Sequence, residues 1–466
     1  MERPFATRRA ALLAECRLDA GTLAGLEERL QAFLDPFLAS LSRREQMQHA
    51  REYCSGLLSD LERKNTESIA YRHDEDRKNL QNFMGQSCWQ CGPLLDELTK
   101  QVGQSLGQSD GVLTLDPSAF PKKGNASVGV ERQWCGRLGK IDNCQVGVYL
   151  GYVSGLGHAL VDVRLYLPKA WAADTARRKK CHVPREVRYQ TRTQLALALL
   201  DERAALLPHG WVTGDDEMGR AAWFRRALRE RGERYLLAVP SPTTIRDLEA
   251  APPAYAGFGG IRKNRFQRID RWCAALPAEA WTQVEVRDGD KGPLRVAAVK
   301  VRVQARAEHS RVGPEEVAVV IRRTDEAGQT IHDYYLSNAS FDTPLAEFAR
   351  AAKAHHRIEE CFQRGKSEVG LGDYELRSYG GWYHHQVLSF LAAWFLVEET
   401  RRGKKNYAGP DGPASPRRAV PPPPRRIELR PPQARRPRMP TPPRTNPTRT
   451  LIPLAQAQEV GTNEHR

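Results

Sequence analysis

The chain has 466 residues, 40% of them hydrophobic, which is enough to build cores for two or three folded domains. Its longest apolar run, QVLSFLAAWFLV at 386–397, is well short of the ~18 to 20 residues that a bilayer span needs, and the N-terminal stretch has no apolar signal segment, so the expectation is a cytoplasmic protein with no membrane partner. The net charge of +15 points to a polyanionic partner, but 401–466 hold 15 Lys and Arg against 4 Asp and Glu, which leaves only +4 on the first 400 residues.

Residues 1–105 read as a helical N-terminal domain. LAGLEERLQAFLDPFLASL spaces its leucines and phenylalanines at three and four, and REYCSGLLSDLERKN continues the pattern. Arg43, Arg44, Arg63 and Lys64 could hold DNA there or simply form a solvated face. Cys88 and Cys91 make a C-x-x-C, but Cys135 and Cys144 are spaced too widely to complete a zinc ribbon, and nine dispersed cysteines argue against a disulfide framework.

From residue 111 the periodicity changes. GVLTLD (111–116), CQVGVYLGYV (144–153) and HALVDVRLYLP (158–168) predict three successive strands. A helix from Thr193 to about 205, a strand GWVTGD (210–215), a helix at 221–232 and a strand RYLLAVP (234–240) follow. The order β-β-β-α-β-α-β is that of an α/β, ribonuclease H-like mixed sheet, in which the first and fourth strands are neighbours. Residues 106–240 are therefore assigned to the first part of such a core. Residues 241–343 hold four strand-like stretches and read as a β-rich insertion, and 344–400 return to the core as two helices. The Pro/Arg-rich tail, 401–466, cannot bury enough apolar area to fold and is expected to be disordered and basic.

Three carboxylates stand out by setting. Asp116 and Asp215 end the two strands expected side by side, at the carboxyl edge where open α/β sheets bind ligands, and Glu359 lies on the first returning helix. Displacement at a phosphodiester needs one oxygen activated and another stabilised, and two divalent ions ~3.5 to 4 Å apart do both. The expected cofactor is a pair of Mg²⁺ ions, with Mn²⁺ as a substitute: Asp116 bridges them, Asp215 completes one shell and Glu359 the other. Lys366, seven residues after Glu359 on nearly the same helix face, could clamp a phosphate. Lys122 and Lys123, before Gly124, could bring charge and a permissive backbone to DNA.

These residues sit in longer blocks: GLLSDLERKN (56–65), FPKKGNASVGVERQWCGRLGKIDNCQVGVYL (120–150), LYLPKAW (165–171), WVTGDDEMG (211–219), YLLAVPS (235–241) and IEECFQRGKSEVGLGDYELRSYGGWYHH (358–385). With them the chain resembles DDE transposases of bacterial insertion sequences, of the insertion sequence 701 type. The resemblance implies that Asp116, Asp215 and Glu359 form the metal-binding triad and that Lys366 is the family's lysine after the glutamate. It implies partners too: double-stranded DNA as terminal inverted repeats and as target, and a homodimer when two ends are brought together. In relatives with a β-rich insertion an aromatic residue can hold a flipped base; Trp272, among Lys263, Arg268 and Arg271, is the candidate here, with a core tryptophan as the other reading. The chain departs from the family pattern at Pro117, at Ala352 and His355, and at Asp216 and Glu217. Those departures keep a second function open, a catalytically impaired, transposase-derived DNA-binding protein or repressor, beside the Mg-dependent enzyme of DNA cleavage and strand transfer.

Overall fold

A computed structural model of the chain describes residues 24–252, 264–289, 292–308, 311–324 and 328–407. Of the tail expected to be disordered, residues 401–407 instead continue the last helix, which runs unbroken from Tyr379 to Tyr407; the rest of the tail, and Lys263, lie outside the described residues. Among the described residues five helices come first: α1 (Leu26–Leu38), α2 (Arg44–Leu58), α3 (Thr66–Arg72), α4 (Arg77–Gly85) and α5 (Gly92–Leu106). Asn65 and Asp76 cap α3 and α4 by accepting backbone N–H groups of Ser68 and Lys78, as N-cap side chains do. Leu34, Phe37, Tyr53, Leu57 and Leu98 from these helices belong to the same buried cluster as the core sheet.

Next come β1 (Val112–Pro121), β2 (Glu131–Cys135), β3 (Lys140–Ser154), β4 (Gly157–Tyr166), α6 (Lys169–Ala173), α7 (Thr175–Lys180) and α8 (Arg192–Arg203). Thr191 and Gln194 form a reciprocal capping box on α8. The chain continues through β5 (Trp211–Gly214), α9 (Asp216–Arg220), α10 (Ala222–Glu230) and β6 (Tyr235–Ala238). The strands pair in the order β4-β3-β1-β5-β6, with β3 antiparallel to both β4 and β1, and with β1, β5 and β6 parallel. This is the ribonuclease H-like arrangement expected, with the short β2 added beside the start of β3.

The remaining elements are β7 (Thr244–Asp247), β8 (Gln267–Arg268), α11 (Ile269–Ala274), β9 (Thr282–Gly289), β10 (Gly292–Arg306), β11 (Val312–Thr324), β12 (Thr330–Ser337), α12 (Leu345–Glu368) and α13 (Tyr379–Tyr407). The β-rich region does not form a separate sheet. β12 pairs antiparallel with β6, and β11, β10, β7 and β8 follow outward, so core and inserted strands make one twelve-stranded sheet. A buried ion pair, Arg225 Nε to Glu316 Oε1 at 2.9 Å, ties α10 to β11, and Tyr235 of β6 donates its hydroxyl to the same carboxylate. α12 and α13 cover the core strands, with Ile358, Phe362, Trp382, Leu388 and Phe390 buried. No helix among the described residues is long and apolar enough to cross a membrane.

Candidate active site

The first aspartate does not end its strand. β1 runs on to Pro121 against β3, with Asp116 opposite Tyr149 and Pro117 opposite Val148, whereas its parallel pairing with β5 stops at Leu115 opposite Gly214. Past that point β1 has one neighbour, which is where a strand tolerates a proline without a lost ladder bond. The pairing therefore delivers Asp116 and Asp215, each the residue after the last parallel pair, to one edge.

Asp215 is the N-cap of α9: its carboxylate accepts the Met218 backbone N–H at 3.1 Å. Gly219 lets that short helix press against β6, since a Cβ there would sit 1.9 Å from the Ala238 carbonyl oxygen. The third carboxylate arrives with α12. Ile358 packs over Gly151 of β3, and Phe362 meets the Tyr149 ring edge-on at 4.8 Å, which sets the helix across the sheet and leaves Glu359 exposed beside it.

The electrostatics bind the three together. Burial, then the charges of Asp215 and Glu359, push the Asp116 carboxyl well above its usual range, with Lys366 opposing. Burial pushes Asp215 up to about 7 against its backbone hydrogen bond, with Glu217 and Asp216 adding to the rise. Glu359 is held low, first by His356, whose Nδ1 lies 3.7 Å away. The two raised aspartates, with the glutamate near them, fit a divalent metal: two oxygen donors on adjacent strands, just past their last parallel pair, and a third on a facing helix. The three do not have oxygens all within 4.8 Å of one another; among the described residues only His49, Glu52 and Glu75, on the N-terminal helices and the loop after α3, make so tight a metal-ligating group.

Lys366 joins the site, its Nζ donating to the Ser118 hydroxyl at 3.1 Å, two residues from Asp116. Burial and nearby Arg137 lower its ammonium to about 8. The two other lysines divide. Lys122 donates to the Tyr374 carbonyl at 2.8 Å and lies 3.4 Å over that ring, so its charge is spent inside the protein, whereas Lys123 is exposed. Trp272 is not brought to this site. It is 7% exposed, packs with Ile245, Val303 and Leu336, and donates its indole N–H to Asp247 at 2.9 Å, the arrangement of a core tryptophan.

The departures also resolve. Asp216 pairs with Arg220 at 3.1 Å and Glu217 with Arg192 at 2.7 Å, so each has a guanidinium partner of its own. Burial drives His355 down to about 4, and its buried Nδ1 has no hydrogen-bond partner, so near pH 7 it is neutral and offers no charge to a phosphate. Of the N-terminal cations, Lys64 is buried and donates to Leu57 and to the Glu368 carbonyl at the end of α12, while Arg63 pairs with Glu375. Ser118, His356 and Arg192 were not singled out from the sequence. His356 was legible at three residues before Glu359, but Ser118 and Arg192 reach the site only through strand register and a helix cap.

Comparison with known proteins now decides the family. A family model described as DDE superfamily endonuclease matches residues 36–293, more than half of the chain. The chain belongs to that family. The matched stretch holds both aspartates and stops before Glu359. The DDE chain is 26% identical over 246 residues to a probable transposase for insertion sequence element IS701 from Microchaete diplosiphon, in line with the sequence resemblance. That match covers 52% of this chain and 59% of the relative, less than two thirds of its length. The structure of the piggyBac transposase synaptic complex with hairpin DNA aligns over 81% of this chain and 74% of that one, at 9% identity and a TM-score of 0.39.

Proposed function

We propose that the chain is a transposase that binds the ends of its own element and catalyses Mg²⁺-dependent DNA cleavage and strand transfer through Asp116, Asp215 and Glu359. One observation carries the reading: β1 and β5 pair in parallel up to Leu115 opposite Gly214, so Asp116 and Asp215, 99 positions apart in sequence, follow at one sheet edge, where the charges of Asp215 and Glu359 both raise the Asp116 carboxyl. Asp116 and Asp215 would hold one ion and Asp116 and Glu359 the other; the ions would supply Lewis-acid activation of the attacking oxygen and stabilisation of the leaving one.

The chain's own groups would do the rest. Asp215, oriented by the Met218 N–H, and Asp116, fixed in β1, present their oxygens without a costly reorganisation. Lys366 would hold a non-bridging oxygen of the scissile phosphate, a role supported by the Ser118 hydroxyl that accepts from its ammonium two residues from Asp116. Exposed Lys123 supports binding along the flanking backbone. Bringing two ends together would call for a homodimer.

The test is excision from a plasmid carrying a marker between the DNA ends that flank this gene. Wild type should release the marker, and Asp116→Ala, Asp215→Ala and Glu359→Ala should each abolish release while end binding persists. Specific end binding by a wild-type chain that never releases the marker would instead support a repressor.

A further inference from the structure

The ribbon of β2 and β3 carries a surface that the proposed chemistry does not use. Cys144 pairs with Pro121 of β1 on one side and Glu131 of β2 on the other; before it, residues 140–143 of β3 pair only with β2. The two strands therefore leave the sheet as a hairpin, closed by a turn in which Leu138 N–H donates to Cys135 O at 2.9 Å and Gly139 takes φ +63°.

The two faces of this hairpin differ. On one, Cys135 and Cys144 pack with Ala119 and Val146. On the other, Trp134 and Ile141 are cross-strand partners and stand 57% and 59% exposed, with Leu138 43% exposed at the turn. A tryptophan paired with an isoleucine in open solvent marks a contact surface more than a packing accident. Arg132 shares the Trp134 face by strand alternation and exposed Arg137 lies in the turn that closes the hairpin, while the acidic residues Glu131 and Asp142 alternate onto the opposite face.

That face continues the one that bears the carboxylates. Asp116, Ser118 and Phe120 lie opposite Tyr149, Gly147 and Gln145, and Asn143 and Ile141 follow on β3 at the same period of two. Arg137 is close enough to Lys366 to repel its charge. The hairpin is also fastened to the site. Arg192 bridges Gln133 at 3.1 Å and Glu217 at 2.7 Å, and Asn143 donates to the carbonyls of Lys122 and Gly124 at 2.7 and 3.1 Å.

We propose that the Trp134 face of this hairpin binds unpaired nucleotides of a DNA strand beside the cleavage site, with Trp134 stacked on a base and Arg132 and Arg137 on its phosphates. An exposed aromatic ring between cations is the chemistry that takes single-stranded nucleic acid without reading its sequence. The proposal rests on the reading of the chain as a DNA-cleaving enzyme, and it assigns to the hairpin the strand that is no longer paired.

The test uses the full chain and fluorescence anisotropy with two labelled duplexes, one blunt and one with a single-stranded extension of about eight nucleotides. Wild type should prefer the extended duplex. Trp134→Ala should lose about fivefold to a hundredfold in affinity for it, Trp134→Phe should keep most of it, and blunt-duplex affinity should be the same in all three. Equal binding of the extended duplex by wild type and Trp134→Ala overturns the proposal, as does a wild type that shows no preference. Loss of self-association in Trp134→Ala with DNA preference intact would assign the face to a second copy of the chain and overturn it too. Metal-dependent cutting of either duplex by wild type is scored separately, so failure of the hairpin and failure of the enzyme reading give different results.

Discussion

Leu115 is the last residue of β1 to pair with β5, opposite Gly214, and an aspartate follows directly after each of the two. Parallel pairing, which keeps both chains running the same way, thus makes two residues 99 apart in sequence neighbours at one sheet edge. The proposed metal chemistry grows from this register.

A divalent ion should relieve that edge. Because burial and the neighbouring carboxylates raise Asp116, and Asp215 is pushed up to about 7, ion binding must displace protons, and affinity should rise as pH goes from 6 to 8. Thermal unfolding with and without Mg²⁺ should show a stabilisation of about 1 to 3 kcal/mol at saturating ion, larger at pH 8 than at pH 6. Asp116→Asn should raise the melting temperature of the metal-free chain and abolish the response; an unchanged response would remove Asp116 from the ion site.

Lys366 predicts an alkaline limit. Its ammonium, lowered to about 8, loses its proton as pH rises through that value, and with it the proposed grip on the phosphate. Cleavage by wild type should decline above pH ~8, whereas Lys366→Arg, which stays charged, should extend the plateau. Lys366→Met should lower the rate at pH 7 by about tenfold or more, with DNA affinity nearly unchanged.

Gly151 tests how tightly α12 is set. A Cβ there would lie 2.7 Å from the Thr114 hydroxyl and 2.9 Å from Ile358, the residue before Glu359. Gly151→Ala should cost about 1 to 3 kcal/mol in denaturant unfolding and, by lifting the helix, reduce cleavage more than DNA binding. A fully active Gly151→Ala chain would show that Glu359 does not need this close approach.

His385 gives the fold an acid sensitivity separate from the site. Its Nδ1 accepts from the Tyr53 hydroxyl at 2.8 Å and its Nε2 faces the Gly370 carbonyl at 3.1 Å, which fits the neutral ring, and burial holds it at about 3. The unfolded chain takes up that proton near pH ~6.5. The group's contribution is therefore complete above that value and is lost as pH falls toward about 3, at up to ~1.4 kcal/mol per pH unit. Denaturant unfolding at pH 7 and pH 5 should show the decline, and His385→Gln should flatten it.

Much of the architecture could be read along the chain. Runs of β-branched and aromatic residues marked the core strands, and three-and-four spacing marked α1 and α2, because that period follows from a helix burying one face. β2, β7 and β8 were missed. Each is short, from two to five residues, and none has a strongly apolar alternation, so only a partner strand makes them strands. The insertion was read as β-rich, but its continuity with the core could not be, since β6 and β12 are joined by hydrogen bonds between residues about a hundred positions apart.

The sequence by itself determined the residue types and the order of elements: carboxylates after two apolar runs, a third on a helix, and lysines close by. Tertiary structure alone decided which of these meet. It set the Lys122 ammonium over the Tyr374 ring, buried Trp272 among the inserted strands, gave Asp216 and Glu217 arginine partners, and left Trp134 in the open. The physical reason is that a side chain's role depends on solvent exposure and on charges within a few ångströms, and both are set by contacts between segments distant in the chain rather than by local pattern.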